Sequence, residues 1–332
     1  MDILDIKKAI KGLSYSERRE LLEMLERSAQ SHELTKEIEE ARFSAKGIYC
    51  PRCGGVDGVV KFGRTPKGQR YRCKDCGRTF TAMSLSLFQG THKALTVWEK
   101  YIECMLDGLS LRKTAEDCGI SVKTAFIWRH KILDALAERS ENSGKQLKGV
   151  VEADEAFFRV SYKGSRHLPR KAHKRGGSVK KRGLSREQVC VPCAVDRERT
   201  VVAKVCNLGK MSTQSLTRFY AGKIEAQSII CTDSEKAYRG FAKQEGFKLY
   251  QMPSGKRSNG VYNINHINAY HSLLKSFVRK FRGVSTKYLN NYLVWNNSMK
   301  MGISEVMTEV VKAVYSVRGV DIYRRPALPL VG

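Results

Sequence analysis

Asp154 closes the apolar run Gly149-Val150-Val151-Glu152-Ala153, and Asp233 closes a second, Ser228-Ile229-Ile230-Cys231-Thr232. Downstream lies Asn268-Ala269-Tyr270-His271-Ser272-Leu273-Leu274-Lys275, which reads as part of a basic helix. Carboxylates at the ends of adjacent strands repel one another unless a cation lies between them. Oxygen donors of this kind suit Mg²⁺, and two such ions can clamp the attacking and leaving oxygens of a phosphodiester in line. On a helical period Asn268 and Lys275 are nearly in register two turns apart, with His271 between them on the same broad face. Asn268 offers an uncharged carbonyl ligand, and Lys275 a contact for a phosphate. The simpler reading of each aspartate is a turn or helix cap, which Asp233-Ser234-Glu235 would fit. The three pieces together favour catalysis.

A second constellation is Cys50-Pro51-Arg52-Cys53 with Cys73-Lys74-Asp75-Cys76, a C-x₂-C-x₁₉-C-x₂-C spacing. Each pair makes a tight knuckle, and four thiolates close a tetrahedral structural Zn²⁺ site. Gly58–Arg64 and Gln69–Arg72 are expected as the strands of a zinc ribbon, which needs the metal to fold. Arg64, Lys67, Arg70 and Arg72 either touch phosphates or form a solvated basic surface. The other six cysteines lie in apolar surroundings and are expected as small core residues.

The charge balance narrows the partner. With 60 Lys+Arg against 33 Asp+Glu, the net charge is +27. Such an excess fits a polyanion, because each phosphate neutralised releases a counterion. Double-stranded DNA is the expected partner. A membrane is not, since no apolar run approaches the roughly 18 residues of a spanning helix. The N-terminus lacks a signal-peptide pattern, so the expected location is the cytoplasm.

The fold class expected is multidomain α/β: zinc ribbon, helix-turn-helix, and a ribonuclease-H-like mixed-sheet core. Residues 1–45 read as a helical segment with a Ser14/Glu17 capping box, a possible dimerisation element. Residues 46–88 form the ribbon. Residues 92–140 are helical with a break, where Gly119 takes the left-handed conformation and Ser121 caps the next helix. That helix, from about Val122 to Leu136, is expected to read DNA with Lys123, Thr124, Ile127 and Lys131 on the face away from Ala125, Phe126 and Ile132. From 147 to 332 the order strand, hairpin, helix, strand, helix, strand, helix is that of a ribonuclease-H-like layer. An insertion at 159–186 holds eleven Lys/Arg and no acid. Its Arg170, Lys171, Lys174, Arg175, Lys180, Lys181 and Arg182 are expected to grip phosphates, the alternative being a solvated spacer.

The run His271-Ser272-Leu273-Leu274-Lys275-Ser276-Phe277, followed by Phe281-Arg282-Gly283-Val284-Ser285-Thr286-Lys287-Tyr288-Leu289 and Tyr292-Leu293-Val294-Trp295, resembles bacterial insertion-sequence transposases. The match is to the zinc-ribbon-bearing family numbered fifteen-ninety-five, with its ISXO-like catalytic domain. It extends to Val151-Glu152-Ala153-Asp154-Glu155 and to the ribbon with Arg78-Thr79-Phe80, and spans most of 46–300. The resemblance implies a DDE core using Mg²⁺ or Mn²⁺, with Asp154 and Asp233 as its two aspartates. The third acidic position falls on Asn268; an alternative register makes it His271, with Glu235 or Glu152 compensating nearby. The function implied is binding of terminal inverted repeats, metal-dependent cleavage and strand transfer, by a homodimer or larger assembly holding two ends. The rival readings are a non-catalytic or domesticated DNA-binding regulator, and a ribonuclease or resolvase sharing the fold.

Overall fold

The computed structural model describes residues 47–313 apart from 66–67, 85, 143, 170, 172–182 and 254–257, together with a scatter of residues between Ile10 and Phe43, and Ile322, Tyr323 and Arg325. The chain divides into two compact units, residues 1–139 with 301–317, and 140–300 with 318–332.

In the first unit, β1 (Val59–Thr65), β2 (Gly68–Cys73) and β3 (Thr79–Phe80) form an antiparallel sheet in that order. Its core is small: Cys50, Tyr71, Cys73 and Phe80 are the fully buried members. Helices α1 (Leu95–Leu106), α2 (Leu111–Asp117) and α3 (Val122–Asn142) follow. The α2–α3 turn forms for the expected reasons. Gly119 has φ +58°, the Ile120 N–H donates to the Ala115 carbonyl at 2.9 Å, and the Ser121 hydroxyl accepts from the Thr124 N–H at 3.0 Å. Trp98 of α1 stacks on Trp128 of α3 with ring centres 3.5 Å apart. The buried Arg129 donates to the Leu109 carbonyl at 3.0 Å, which gives its guanidinium an acceptor inside the fold. Before the ribbon, Ser14 and Glu17 form the expected reciprocal cap, at 2.7 and 3.3 Å.

The second unit is a mixed sheet with helices on both faces. Its strands are β4 (Val150–Arg159), β5 (Gln188–Asp196), β6 (Val201–Ala203), β7 (Asn207–Leu208), β8 (Ile229–Thr232) and β9 (Lys248–Gln251). Their order is β6-β5-β4-β8-β9, with β7 beside β5. β4 runs antiparallel to β5 and parallel to β8, and β8 runs parallel to β9. A mixed sheet with this order is consistent with a ribonuclease-H-like core. Helices α4 (Thr213–Tyr220) and α5 (Lys236–Glu245) cover one face; α6 (Asn265–Lys280) and α7 (Leu289–Ser298) cover the other. The strand period of two divides β4 between them. Val151, Ala153 and Phe157 pack with α4 and α5, while Val150, Ala156 and Phe158 pack with α6 and α7. β6 and β7 are separated at residues 204–206, where the Cys206 N–H donates to the Cys190 carbonyl and the Val205 N–H to the Asn290 side chain.

The last helix, α8 (Ile303–Lys312), packs with the first unit, against α1, and Arg139 meets Glu309 at 2.9 Å. The sequence reading had placed this stretch with the core. Among the described residues, no helix is long and apolar enough to cross a membrane.

Candidate active site and zinc centre

The register of two parallel strands brings the aspartates level. β4 and β8 pair Glu152 with Cys231, so two residues further on Asp154 and Asp233 stand side by side at the carboxyl end of β8. Each spends one carboxylate oxygen locally. Asp154 Oδ1 accepts the Glu155 N–H at 2.8 Å, and Asp233 Oδ1 accepts the Glu235 N–H at 3.0 Å. The capping role foreseen for Asp233 is therefore real, and it fixes the carboxylate without using its second oxygen. Burial, helped by the neighbouring Asp233 charge and opposed by Lys275, pushes the Asp154 carboxyl up to about 6.

Helix α6 is locked onto β4 by Glu152, which is 1% exposed. Its Oε2 accepts the backbone N–H groups of His266 and Ile267 at 2.7 and 3.1 Å, in the first turn of α6. Its Oε1 lies 2.8 Å from both His266 Nδ1 and Arg197 Nη1. A carboxylate at a helix N-terminus satisfies orphan donors and is attracted by the positive end of the helix dipole. Glu152 and Asp154 share one strand face, so the residue that seats the helix and the one that faces its middle are fixed together. Glu152 is thus committed and does not compensate at the metal site. Glu235 is likewise engaged, with Lys210 at 2.7 Å. Replacing Glu152 by Ala should destabilise the fold by about 3–5 kcal/mol, because buried donors and Arg197 lose their partner. Equilibrium denaturation checks this, and a loss below about 1 kcal/mol would contradict the seating role.

His271 is the α6 side chain that meets Asp154, Nδ1 to Oδ2 at 3.5 Å. It is 7% exposed, and its Nε2 is buried without a hydrogen-bond partner. Burial and then the Lys275 charge hold its pKa down at about 4, so the ring is neutral at pH 7. Asn268 and Lys275 are exposed on the edge of α6 beside it. On the opposite face of β4 stands Glu155, which the sequence reading passed over. Burial first, then the Asp154, Asp233 and Glu235 charges, raise it to about 7, against the lowering influence of Tyr238. Its position directly after Asp154 in an apolar strand was the available signal.

Asp154 and Asp233 fit a divalent cation in donor chemistry: they offer hard oxygens, and the ionisation of Asp154 is resisted in the metal-free fold. Asp154 and Glu155 hold protons in the fold above their ordinary range, so the stability tied to them falls as pH rises from about 4 to 7. His271 has the opposite sign over about 4 to 6.5 and offsets one of them. The net loss is on the order of 3 kcal/mol between pH 4 and 8. The metal-free protein should therefore melt lower at pH 8 than at pH 5.5, and millimolar Mg²⁺ or Mn²⁺ should raise the melting temperature more at pH 8. Equal shifts at both pH values would count against a cation site here.

In the ribbon, the four expected ligands converge: the sulfurs of Cys50, Cys53, Cys73 and Cys76 all lie within 4.8 Å of one another. Cys50 and Cys76 are 3.5 Å apart, Cys53 and Cys73 3.6 Å. A tetrahedron with Zn–S bonds of about 2.3 Å has an edge of about 3.8 Å, so the thiols already fit a zinc ion. The two knuckles repeat one geometry. The Gly54 N–H donates to the Cys50 carbonyl at 2.9 Å and the Gly77 N–H to the Cys73 carbonyl at 3.0 Å, with φ +76° and +70° at the two glycines. Among the described His, Cys, Asp and Glu side chains, this is the group gathered at ligand distance; the acidic residues of the second unit are less tightly drawn together. The six other cysteines are buried, as expected.

The residues expected to meet DNA are placed unevenly. Lys123 is exposed and Thr124 half-exposed near the start of α3. Lys131 is half-buried, and burial lowers its pKa. Its neighbours Trp128, His130 and Ile132 are all buried, so the covered face of α3 is wider than Ala125, Phe126 and Ile132 alone. Lys171 is exposed, whereas Arg170, Lys174, Arg175, Lys180, Lys181 and Arg182 lie outside the described residues. The base of the insertion is tied to the end of α6: Lys163 Nζ donates to the carbonyls of Phe281, Arg282 and Gly283 at 3.0, 3.4 and 2.7 Å.

Residues 146–294 match an ISXO2-like transposase domain, and residues 45–77 match an InsA N-terminal domain of the zinc-ribbon type. An uncharacterized protein in the transposable element ISH50 of Halobacterium salinarum is 28% identical over 251 residues, 74% of this chain and 83% of that one. Among solved structures, the Mos1 transposase paired-end complex with left transposon end is 11% identical, covering 65% of this chain and 79% of that one, with a TM-score of 0.24. A pre-cleavage Mos1 transpososome is 10% identical, covering 67% of this chain and 79% of that one, with a TM-score of 0.22. Likenesses of that size bear on neither fold nor assembly. The transposase-domain match covers β4 through most of α7, including Asp154, Asp233 and the Glu152-seated helix, and the ribbon match covers all four cysteines, so the chain is similar to ISXO2-like transposases over 146–294 and to an InsA-type zinc ribbon over 45–77.

Proposed function

We propose that the protein cuts DNA at the ends of a mobile element and joins the freed 3′-hydroxyls to target DNA. The observation that carries the reading is the levelling of Asp154 and Asp233 on adjacent parallel strands, faced by a helix seated on the same strand by Glu152. Asp154, Asp233 and Asn268 would hold divalent cations, which supply charge stabilisation for the attacking and leaving oxygens of a phosphodiester. His271, buried and neutral with its Nδ1 3.5 Å from Asp154 Oδ2, would limit the orientations open to that carboxylate. Lys275, exposed one turn further on, is placed to contact a phosphate beside the scissile one. Asn268 in the third position removes one negative charge, which leaves more of the cations' charge to be met by substrate phosphates. The α2–α3 pair, as a helix-turn-helix with Lys123 and Thr124 outward, and the basic insertion would bind the ends. A dimer or larger assembly would hold two ends together.

The test is a strand-transfer assay with end-containing DNA and Mg²⁺ or Mn²⁺, using the inverted repeats that flank the coding region. Wild-type protein should nick and join. Asn268→Ala should lower the rate about a hundredfold and weaken Mn²⁺ binding. His271→Ala should lower it about tenfold, the scale of one misplaced ligand, with Mn²⁺ binding nearly retained. Sequence-specific binding with no cleavage under any metal would instead support a DNA-binding regulator, and cleavage without joining a nuclease.

A further inference from the structure

The ribbon carries a surface that neither zinc binding nor catalysis uses. On β2, Tyr71 and Cys73 point into the small core, so Arg70 and Arg72 point out. Across the ladder Val60 pairs with Arg72, and the register shifts between Lys61 and Arg64, where Gly63 has φ +78°. This irregularity turns Phe62 beneath both guanidiniums. Arg70 lies 5.3 Å and Arg72 5.4 Å from the same ring centre, while Phe62 is 43% exposed. Arg70 is further fixed by the Thr79 hydroxyl at 3.2 Å, and the irregular turn by Gln69, which donates to the Gly63 carbonyl at 2.7 Å.

Two like charges over one ring repel each other, and a large exposed aromatic gains nothing from water. Lys61 and Arg64 add charge on the same strand, and none of these four cations pairs with a carboxylate among the described residues. Planar guanidiniums held in place are suited to phosphate oxygens, which they meet two at a time, and their ordering has been settled before binding. An anion bridging them would relieve the repulsion. Successive phosphates of a duplex strand would extend the contact from Arg70 and Arg72 to Arg64 and Lys61.

We infer that the Phe62-Arg70-Arg72 face of the ribbon is a docking site for the phosphate backbone of double-stranded DNA, independent of sequence. This rests on the reading that the protein acts on DNA. It makes the zinc ribbon a clamp whose rigidity the metal secures, separate from the helices proposed to read the ends.

The full-length, zinc-loaded chain can be titrated by fluorescence anisotropy against a duplex of about 30 base pairs of arbitrary sequence, over a range of salt. Arg70→Gln with Arg72→Gln should weaken binding about tenfold near 0.1 M salt and lower the slope of log affinity against log salt by about 1 to 2. Phe62→Ala should weaken it about two- to fivefold by loosening the guanidiniums. Arg19→Gln with Lys36→Gln, which removes equal charge elsewhere in the same unit, should stay within about twofold, since one surface charge pair contributes little. Zinc content and melting temperature must match wild type in every variant. Wild-type binding with unchanged affinity and slope in the double arginine variant would overturn the inference alone. Failure of wild-type protein to bind the duplex would overturn it together with the DNA-processing reading.

Discussion

Asp154→Asn protein should bind element-end DNA as the wild type does and cut none of it, a loss of at least about a thousandfold in rate. The same substitution should raise the melting temperature at pH 8 without divalent metal. The two effects have one cause. Burial and the adjacent Asp233 push the Asp154 carboxyl up to about 6, so the ionised form is held in the fold at a loss. An isosteric amide removes the charge and the penalty while keeping the acceptor for the Glu155 N–H. Adding Mg²⁺ should then stabilise the wild type and leave the variant nearly unmoved. Asp233→Asn should behave alike in cleavage, with less stabilisation. Calorimetry beside a nicking assay separates this from an ordinary structural aspartate, whose loss would lower melting temperature and activity together. Surviving strand transfer by either variant would falsify the catalytic assignment.

Cys73→Ser, or removal of zinc by a strong chelator, should unfold the ribbon and leave the second unit folded. The physical reason is the size of the ribbon's core: Cys50, Tyr71, Cys73 and Phe80 are its fully buried members, and two of the four are ligands. Apolar burial on that scale does not offset the entropy of ordering some thirty residues, whereas structural zinc contributes on the order of 10 kcal/mol or more. Loss of one zinc per chain and of amide protection over residues 47–82 should coincide, while the β4–β5–β8 ladder stays protected from exchange. A ribbon that kept its protection without metal would show that the fold does not depend on the site.

The sequence was strongest where a residue's role follows from its neighbours in the chain. The cysteine spacing alone determined the zinc centre, because each C-x₂-C pair forms its own knuckle. Gly119 and Ser121 determined the α2–α3 turn for the same reason. The apolar runs determined which segments become strands, and period two within β4 placed Glu152 and Asp154 on one face and Glu155 on the other. Lys131 shows the limit. A helical period says which residues share a face, but not how wide a face neighbouring elements cover, so a cation expected in the open is half-buried.

What only the tertiary structure decided depends on contacts far apart in sequence. Parallel pairing of Glu152 with Cys231 brings Asp154 level with Asp233. That register is set by packing on both sides of the sheet, and neither strand specifies it alone. The role of Glu152 was equally hidden: its partners at His266 and Ile267 are more than a hundred residues away, and a buried carboxylate there is tolerated because a helix N-terminus and the Arg197 guanidinium meet it. The same seating turns α6 so that His271, rather than Asn268, lies against Asp154. Helical spacing put both candidates for the third corner, Asn268 and His271, within one arc of the helix. Which of them faces the carboxylate is a matter of a few tens of degrees of rotation, and only packing against the sheet fixes that.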